Sequence, residues 1–541
     1  MSDSPPHPPI ELEDAEKSGN PEGSVPELEV RLTPSQLVAV FIAFMVSFAL
    51  TALDQTILST ALPTIASHFN AISDLSWIPS AYFLPQAGLM LFYGRILAIA
   101  PAKIILLTVV VIFELGSLLC AIAPSVNILI FGRVVAGIGA SGLMVSVLYI
   151  IAKVTTIRQR PIFIGVFGGV YAIASVVGPL IGGVFSDRVS WRWCFYINLP
   201  IGGAAIALII VFLPAMRPLD SDHAQSWLSL DWVGVILSVG MITLFLVPIQ
   251  RGGNVKPWDS AEIVSLLVLS ALFLAAFITW EAKKGNSAML PLYMFKRRNM
   301  LGSCLEGFFI NICFVLASYY LPFIYQLRGH SPMRSGIDII PFMIAGTLAA
   351  LFSGICIAKF GRAWPFLFGG PLVGAVASGL LFTVSGTTTT ARIIGFQIIF
   401  GVGLGVALQN TMVVVQAEFA AEQTMLSRAT SVVTFVQTLG ASTGLAISGA
   451  IFSSQLKHRL NNISDLDPDS VATALSSVEA VFFFPPTLRV QILSGYIHAV
   501  DSVFILSLVA AVLGSVGSLV IQRGKVENLA PLTEYETTSS T

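Results

Sequence analysis

The chain has 541 residues, of which 55% are hydrophobic and 11% are charged, and its net charge is −1. Soluble globular domains carry roughly 25% charged residues, so this composition excludes that class. The near-zero net charge gives no electrostatic basis for binding nucleic acid, and we expect no such partner. The five cysteines show no CxxC spacing and no cluster with histidine, so we predict neither a metal site nor disulfides.

The chain begins with a polar segment, residues 1–36, that is rich in proline and glutamate. Such a segment cannot bury a core, so we predict a disordered cytoplasmic tail, and a second one at residues 522–541. Between them lie apolar runs of about 20 residues, the length that crosses a bilayer. They predict fourteen transmembrane helices, at 37–58, 77–98, 104–123, 128–152, 161–185, 193–214, 232–250, 263–280, 300–325, 336–358, 364–384, 391–414, 430–452 and 496–521.

An even number of spans places both termini on one side of the membrane. More Lys and Arg residues fall in the loops on that side, which the positive-inside rule assigns to the cytoplasm. The segment 453–495 is then a long external loop. It contains the sequon Asn462-Ile463-Ser464, so we predict glycosylation at Asn462.

Two glycine patterns recur at nearly one offset along the chain. The fourth predicted span reads R-x3-G-x-G from Arg133, and the twelfth reads Q-x3-G-x-G from Gln397. The pair Gly178 and Gly182 in the fifth span recurs as Gly440 and Gly444 in the thirteenth. The repeat predicts an all-α integral membrane protein of two six-helix bundles, at 37–214 and 300–521. Residues 215–299 would add linker helices 7 and 8 with cytoplasmic loops.

Four ionisable residues lie well inside apolar runs, namely Asp54, Glu114, Arg133 and Glu306. Each costs at least about 2.5 kcal/mol if it faces lipid, so each needs a partner or a wet cavity. Removal from water favours the neutral form of a carboxyl group, whereas a nearby Arg favours the charged form. An acid that alternates between these surroundings would bind and release a proton, which makes Asp54 and Glu306 candidate proton carriers and Arg133 their modulator. Asp54 or Glu114 would alternatively only cap or staple helices.

Neutral polar side chains within the spans are candidates for lining a cavity. Each is equally suited to a hydrogen bond between helices, which is the simpler explanation for any one of them. The candidates are Tyr82, Gln86, Tyr319, Tyr320, Gln397, Gln409 and Asn410.

The fifth predicted span contains a motif built on Ala174, Gly178, Pro179, Gly182 and Gly183. Proline and closely spaced glycines permit a bend and close packing in a membrane helix. This stretch resembles the antiporter motif GxxxGPxxGG, with Ala174 in place of its first glycine. Residues 53–63, 133–142 and 191–200 carry the same likeness. Over residues 37–522 the chain resembles the fourteen-helix drug:proton antiporter branch of the major facilitator superfamily, in particular its fungal toxin and multidrug pumps.

The loops that gate such carriers are only partly present. After the second span the family pattern GxLaDrxGrk is reduced to Gly94, Arg95 and Lys103, and its Asp is absent. The second copy keeps more of the pattern, with Lys359, Gly361 and Arg362. The gate of the first half is therefore expected to close by other contacts.

The resemblance implies export of small amphipathic molecules by alternating access, with secondary metabolites, toxins or drugs as substrates. The energy would come from a proton gradient without a cofactor, in a monomer in the plasma membrane, or alternatively in a vacuolar or vesicle membrane. An uptake carrier for a nutrient or siderophore is one alternative, and a non-transporting receptor or structural protein is another. No HExxH or GxxxxGK[ST] sequence indicates an enzyme.

Overall fold

The computed structural model describes residues 33–69, 77–156, 159–215, 230–252, 256–285, 288–330, 332–385, 388–463 and 484–525, and a few residues between 466 and 481. Most of the two tails predicted to be disordered, 1–32 and 526–541, lies outside this part of the chain. Within the described ranges the fold is helical, with no named strand.

The first half of the helices consists of α1 (Pro34–Phe69), α2 (Trp77–Ile99), α3 (Ala102–Ala121), α4 (Val126–Val154), α5 (Arg160–Arg188), α6 (Trp193–Tyr196) and α7 (Asn198–Phe212). Two helices follow, α8 (Trp232–Arg251) and α9 (Ala261–Lys284). The second half consists of α10 (Arg298–Leu327), α11 (Pro332–Asp338), α12 (Ile340–Phe360), α13 (Trp364–Phe382), α14 (Thr390–Leu408), α15 (Asn410–Glu418), α16 (Gln423–Asn461) and α17 (Pro486–Ser518).

Twelve helical units of the described chain are long and apolar enough to cross a membrane. The pairs α6–α7, α11–α12 and α14–α15 each form one of these units. The helices α2 and α5 are 23 and 29 residues long and occupy the two other predicted spans. The all-helical membrane fold is therefore confirmed, while the count of fourteen spans is supported in part.

The repeated glycines make equivalent contacts in the two halves. A Cβ atom at Gly137 on α4 would lie 2.3 Å from the Tyr82 carbonyl oxygen on α2, and one at Gly401 on α14 would lie 2.3 Å from the Phe342 carbonyl oxygen on α12. Likewise Gly139 packs against α3 and Gly403 against α13, while Gly178 packs against α1 and Gly440 against α10. Helix pairs that correspond in the repeat thus approach closely at corresponding glycines, as expected for a duplicated unit.

The last two long helices extend beyond their apolar parts. Helix α16 continues to Asn461 and α17 begins at Pro486, so both ends of the segment 453–495, predicted as a loop, are helical. Similarly, α1 continues to Phe69, beyond the predicted end at residue 58. A hydropathy pattern marks only the apolar part of a helix, whereas backbone hydrogen bonds extend the helix into more polar sequence.

The bundle is closed on the side where α1 begins and α17 ends, here called the termini side. Short connections, such as residues 100–101 between α2 and α3, make successive membrane-length helices antiparallel. On the termini side, Tyr149 and Ile150 of α4 belong to one continuous buried core with Val414 of α15 and Val432 of α16. On the opposite side, the described apolar residues of the two halves form separate cores.

Candidate functional site

The most strongly buried ion pair of the described chain joins α1 to α4. The Arg133 guanidinium donates from Nη1 to Asp54 Oδ2 at 2.6 Å, and the side chains are 1% and 0% exposed. The same guanidinium lies over the Tyr82 ring, 4.4 Å from its centroid, in a cation–π contact. Removing one partner of such a pair leaves an uncompensated buried charge, which typically costs about 3–5 kcal/mol.

Asn198 at the start of α7 completes this network. Its Nδ2 donates to Asp54 Oδ1 at 3.3 Å and to Ser117 Oγ of α3 at 3.1 Å. The Asp54 carboxylate is therefore held by two helices besides its own, one through an ion pair and one through an amide.

The glycine motif of α5 positions the helix that carries Asp54. A Cβ atom at Gly178 would lie 2.1 Å from Thr56 Oγ1, so only glycine allows α5 to approach α1 this closely. The Thr56 hydroxyl then donates to the Ala174 carbonyl at 3.0 Å. Gly182 is buried in α5, whereas Gly183 would meet nothing within 4 Å. Ala174 and Gly178 of the motif therefore hold α1 against α5 at Thr56, two residues after Asp54.

Glu306 on α10 lies apart from this network. Its side chain is 0% exposed, and neither carboxylate oxygen has a hydrogen-bond partner among the described residues. Glu306 lies about two turns after the start of α10, near the termini side. Arg133 lies about two turns after the start of α4, which is on the opposite side of the bundle. The structure therefore does not bring Arg133 to both acids, as the sequence hypothesis had it, but to Asp54 alone.

A cavity of about 420 Å³ lies between the two halves. Helices α1, α2, α4 and α5 line it on one side, and α10, α11, α12, α14 and α16 on the other. Its lining residues are uncharged, with aromatic rings beside amides and hydroxyls. Gln55, directly after Asp54, lines the cavity, so α1 presents one face to the cavity and another to Arg133.

Three of the seven predicted lining residues border this cavity, namely Gln86, Tyr319 and Gln409. The other four pack elsewhere. Tyr82 lies under Arg133, and Tyr320 lies in the core of the second half. Gln397 donates to Tyr325 Oη at 2.8 Å, and Asn410 donates to Ser353 Oγ at 3.0 Å.

Sequence reasoning missed the polar lining residues Gln55, Asn311 and Gln437. Gln437 also donates to Thr411 Oγ1 at 2.9 Å. Each is an amide within an apolar run, which is the same signal that selected Gln86. The aromatic residues Phe314 and Phe323 carry no signal that separates them from ordinary core residues.

The predicted gating residues are used unequally. A Cβ atom at Gly94 would lie 2.0 Å from Ser431 Oγ of α16, so the end of α2 touches the other half directly. Arg95 is buried, and Lys103 donates to the Ile210 and Leu213 carbonyls at the end of α7, within its own half. In the second copy, Gly361 ends α12 at a φ of 71°, a backbone conformation that favours glycine. Lys359 lies over the Phe360 ring, and Arg362 is exposed.

An unpredicted pair of hydrogen bonds joins the halves on the termini side. Arg160 of α5 donates from Nη1 to the Gln416 carbonyl of α15 at 3.1 Å, and from Nη2 to the Ala152 carbonyl of α4. Gln416 Nε2 donates to the Leu148 carbonyl of α4 at 3.3 Å. These bonds lie on the termini side, the same side as the loop that lacks its Asp.

The predicted glycosylation site lies at the end of α16. Asn462 is exposed, with Nδ2 at 3.4 Å from His458 Nε2, and Ser464 of the sequon lies outside the described residues. Its use therefore stays a prediction.

Two helical halves around a central cavity that is closed at one end, with a buried ion pair beside it, define a membrane carrier of the alternating-access class. The major facilitator superfamily model matches residues 44–445. The chain belongs to this superfamily of transporters.

Relatives and a solved structure agree with this assignment. The MFS-type transporter thnB of Trichoderma harzianum is 38% identical over 83% of this chain and 78% of its own length. The rubrofusarin-specific efflux pump aurT of Gibberella zeae is 36% identical over 90% of this chain and 89% of its own. The human organic anion transporter MFSD10 has the same fold, with a TM-score of 0.57 at 12% identity over 88% of this chain and 100% of that chain.

Proposed function

We propose that this protein exports small amphipathic organic molecules, such as secondary metabolites, toxins or drugs, in exchange for protons. The observation that carries the proposal is the uncharged cavity between the halves, which lies beside the Asp54–Arg133 pair and is sealed on the termini side. Fungal relatives with names such as rubrofusarin-specific efflux pump support the direction and the class of substrate.

The lining of the cavity suits neutral amphipathic molecules. Its volume of about 420 Å³ lies within the usual range for small-molecule sites, roughly 300–1,000 Å³. Phe314 and Phe323 offer flat apolar contact, while Gln55, Gln86 and Gln437 offer amide donors and acceptors. None of the described residues that line it is charged, so a fully ionised substrate would have to leave water without a counter-charge from them.

Helix α1 would couple the proton to the substrate. It carries Asp54 toward Arg133 and, one residue on, Gln55 toward the cavity. When α1 shifts against α4 during the transport cycle and the pair opens, the Asp54 carboxylate loses its counter-charge and takes up a proton. Re-forming the pair expels the proton. Glu306 is the second candidate carrier, because it is buried without a hydrogen-bond partner among the described residues.

The proton gradient supplies enough free energy for concentrative export. One pH unit provides about 1.4 kcal/mol per proton. A potential of 100 mV adds about 2.3 kcal/mol if one net charge crosses. Together they support a gradient of roughly several hundred-fold for one proton per neutral substrate.

The orientation follows from the charge distribution of the loops. With both termini in the cytoplasm, the sealed termini side is the cytoplasmic side, and the structure corresponds to the state that faces outward. We place the protein in the plasma membrane as a monomer, with Asn462 on the external face.

Vesicle transport tests the proposal. The full chain is reconstituted into liposomes, and accumulation of the neutral dye Nile red and of a metabolite panel is followed under an imposed proton gradient, with and without a protonophore. Asp54→Asn, Glu306→Gln and Arg133→Ala are compared with the wild type. Glu262→Gln is the matched control, because Glu262 forms only exposed ion pairs with Arg251 and Lys256, which contribute little.

Export that the protonophore abolishes, together with loss of export in the three variants but not in Glu262→Gln, is the expected result. Transport in the opposite direction would indicate the uptake carrier. Absence of flux for all compounds, with unchanged behaviour of the variants, would favour a receptor or structural role. If export persists in all three variants, the proton site is wrong.

A further inference from the structure

One buried acid has no part in the mechanism so far. Glu114 lies on α3, and both of its carboxylate oxygens are inaccessible to solvent without a hydrogen-bond partner among the described residues. An ionised carboxylate left unpaired in a low-dielectric interior costs several kcal/mol. The position of this side chain therefore requires an explanation beyond packing.

The neighbouring helix makes room for the Glu114 carboxyl group. A Cβ atom at Gly202 of α7 would lie 1.8 Å from Glu114 Oε1 and 2.3 Å from its carboxyl carbon. The next residue, Gly203, would meet nothing within 4 Å. Of these two adjacent glycines, only Gly202 must lack a side chain to leave room for the Glu114 carboxyl group.

The Glu114 carboxyl group lies one helical turn from the Asp54 network. Ser117 follows Glu114 by three residues on α3, and Asn198 precedes Gly202 by four residues on α7. These two side chains are joined at 3.1 Å, and Asn198 also binds Asp54. The α3–α7 contact therefore carries Glu114 at one helical turn and, at the next, the Ser117–Asn198 bond, in which Asn198 is the partner of Asp54.

The charges in this region do not balance if both acids are ionised. Arg133 is the cation of this network and already pairs with Asp54. Arg192 binds the Ala123 carbonyl beyond the end of α3. No ionisable side chain occurs on α7. Among the described residues, the other ionisable groups close enough to interact with the Asp54–Arg133 pair are Tyr82 of α2, Cys120 of α3, Cys194 of α6 and Tyr319 of α10.

We propose that Glu114 is a second proton-binding site of this half, which holds a proton while Asp54 is paired and gives it to Asp54 when the pair with Arg133 opens. In this step the O–H bond of Glu114 breaks and an O–H bond of Asp54 forms. The negative charge passes from Asp54 to Glu114, so the net charge is unchanged. Two interacting acids beside one cation share a single proton in this way. Asn198 and Ser117 are positioning residues that hold the two acids one turn apart.

Infrared difference spectroscopy of the full chain in lipid nanodiscs tests the protonation state directly. The difference between wild type and Glu114→Gln at pH 7 should contain the C=O band of a protonated carboxyl group, which moves in D₂O. In Asp54→Asn the Arg133 cation has lost its partner, so Glu114 should ionise and this band should disappear. The band of Glu306, identified with Glu306→Gln, should be unaffected.

Transport separates a proton role from packing, and this part of the inference rests on the proposed function. Gln has the shape and neutrality of protonated Glu, so a packing role predicts wild-type export in Glu114→Gln. The proton role predicts export reduced to that of Asp54→Asn, with dye binding retained. Gly202→Ala, which displaces the carboxyl group, should behave like Glu114→Gln, whereas Gly203→Ala should behave like the wild type.

Each result has a definite meaning. Absence of a protonated band from Glu114, or a band that is unchanged in Asp54→Asn, would overturn the inference. So would wild-type export in Glu114→Gln. If the wild type itself shows no proton-driven export while the two band results hold, the proposed function is wrong but the shared proton stands.

Discussion

The contact between Gly94 and Ser431 provides a direct test of the closed termini side. Replacing Gly94 with Ala would place a Cβ atom 2.0 Å from Ser431 Oγ and 2.5 Å from Ser431 Cβ. The two residues lie in different halves, so the collision exists only while the halves meet on this side. Overpacking of this kind costs about 1–3 kcal/mol. If that cost falls on the closed state alone, the open population rises by about 5- to 150-fold.

Labelling kinetics measure this population. Leu148→Cys, in a background without the five native cysteines, places a thiol beside the bond from Gln416, where it is buried in the closed state. In detergent, its reaction rate with a water-soluble maleimide should rise in Gly94→Ala by the factor given above. The added change Ser431→Gly should return the rate toward its starting value, because it removes the colliding atoms.

A matched glycine serves as the control. Gly203→Ala adds the same methyl group to a helix where nothing lies within 4 Å, so it should leave the labelling rate unchanged. The reasoning is refuted if Gly94→Ala labels at the original rate, or if Gly203→Ala accelerates labelling as much. Loss of helical content in Gly94→Ala, which circular dichroism would detect, would instead mean that the collision disrupts a half internally.

Three further outcomes follow from single contacts. Asn198→Ala removes the amide that is hydrogen-bonded to the Asp54 carboxylate, and a hydrogen bond to a charged group contributes about 1.5–3 kcal/mol. We therefore expect proton-driven export to fall by roughly 10- to 150-fold. Unchanged export would show that Asn198 is not part of the site. Arg160→Ala removes the hydrogen bond to the Gln416 carbonyl and should accelerate maleimide labelling of the cysteine introduced by Leu148→Cys. An unchanged labelling rate would mean that the apolar core alone seals the termini side. Asp231→Ala removes the side chain that caps the start of α8 by accepting a hydrogen bond from Gly234 N at 3.0 Å. The free energy of unfolding should fall by about 0.5–2 kcal/mol, which lowers the melting temperature in detergent without loss of export. An unchanged melting temperature would contradict a capping role.

The sequence predicted the helices well because a bilayer imposes a length that hydropathy can detect. Apolar runs near residues 104–123 and 364–384 correspond closely to α3 and α13. The prediction was less accurate at α16 and α1, whose outer turns are too polar for a hydropathy signal. The glycine repeat also carried real information, since Gly137 and Gly401 proved to contact corresponding helices.

The site was predicted only in outline. The cost of burying Asp54 and Arg133 indicated that each needed a partner, and the two proved to be paired with each other. The same reasoning did not distinguish Glu114 or Glu306, whose oxygens have no partner among the described residues. Which of Asp54 and Glu114 reaches Arg133 depends on the rotation of α1 and α3 about their axes, whereas Glu306 lies too near the termini side to reach Arg133.

By itself, then, the sequence determined that this protein is a helical membrane carrier of two repeated halves with buried acids, because span length and the cost of buried charge are properties of short segments. Only the tertiary structure decided which polar residues face the cavity. Successive residues of a helix point about 100° apart, so Asp54 faces Arg133 while Gln55 faces the cavity. Likewise Gln409 lines the cavity whereas Asn410 packs against Ser353. The packing of neighbouring helices fixes these rotations, and that packing involves residues up to hundreds of positions apart.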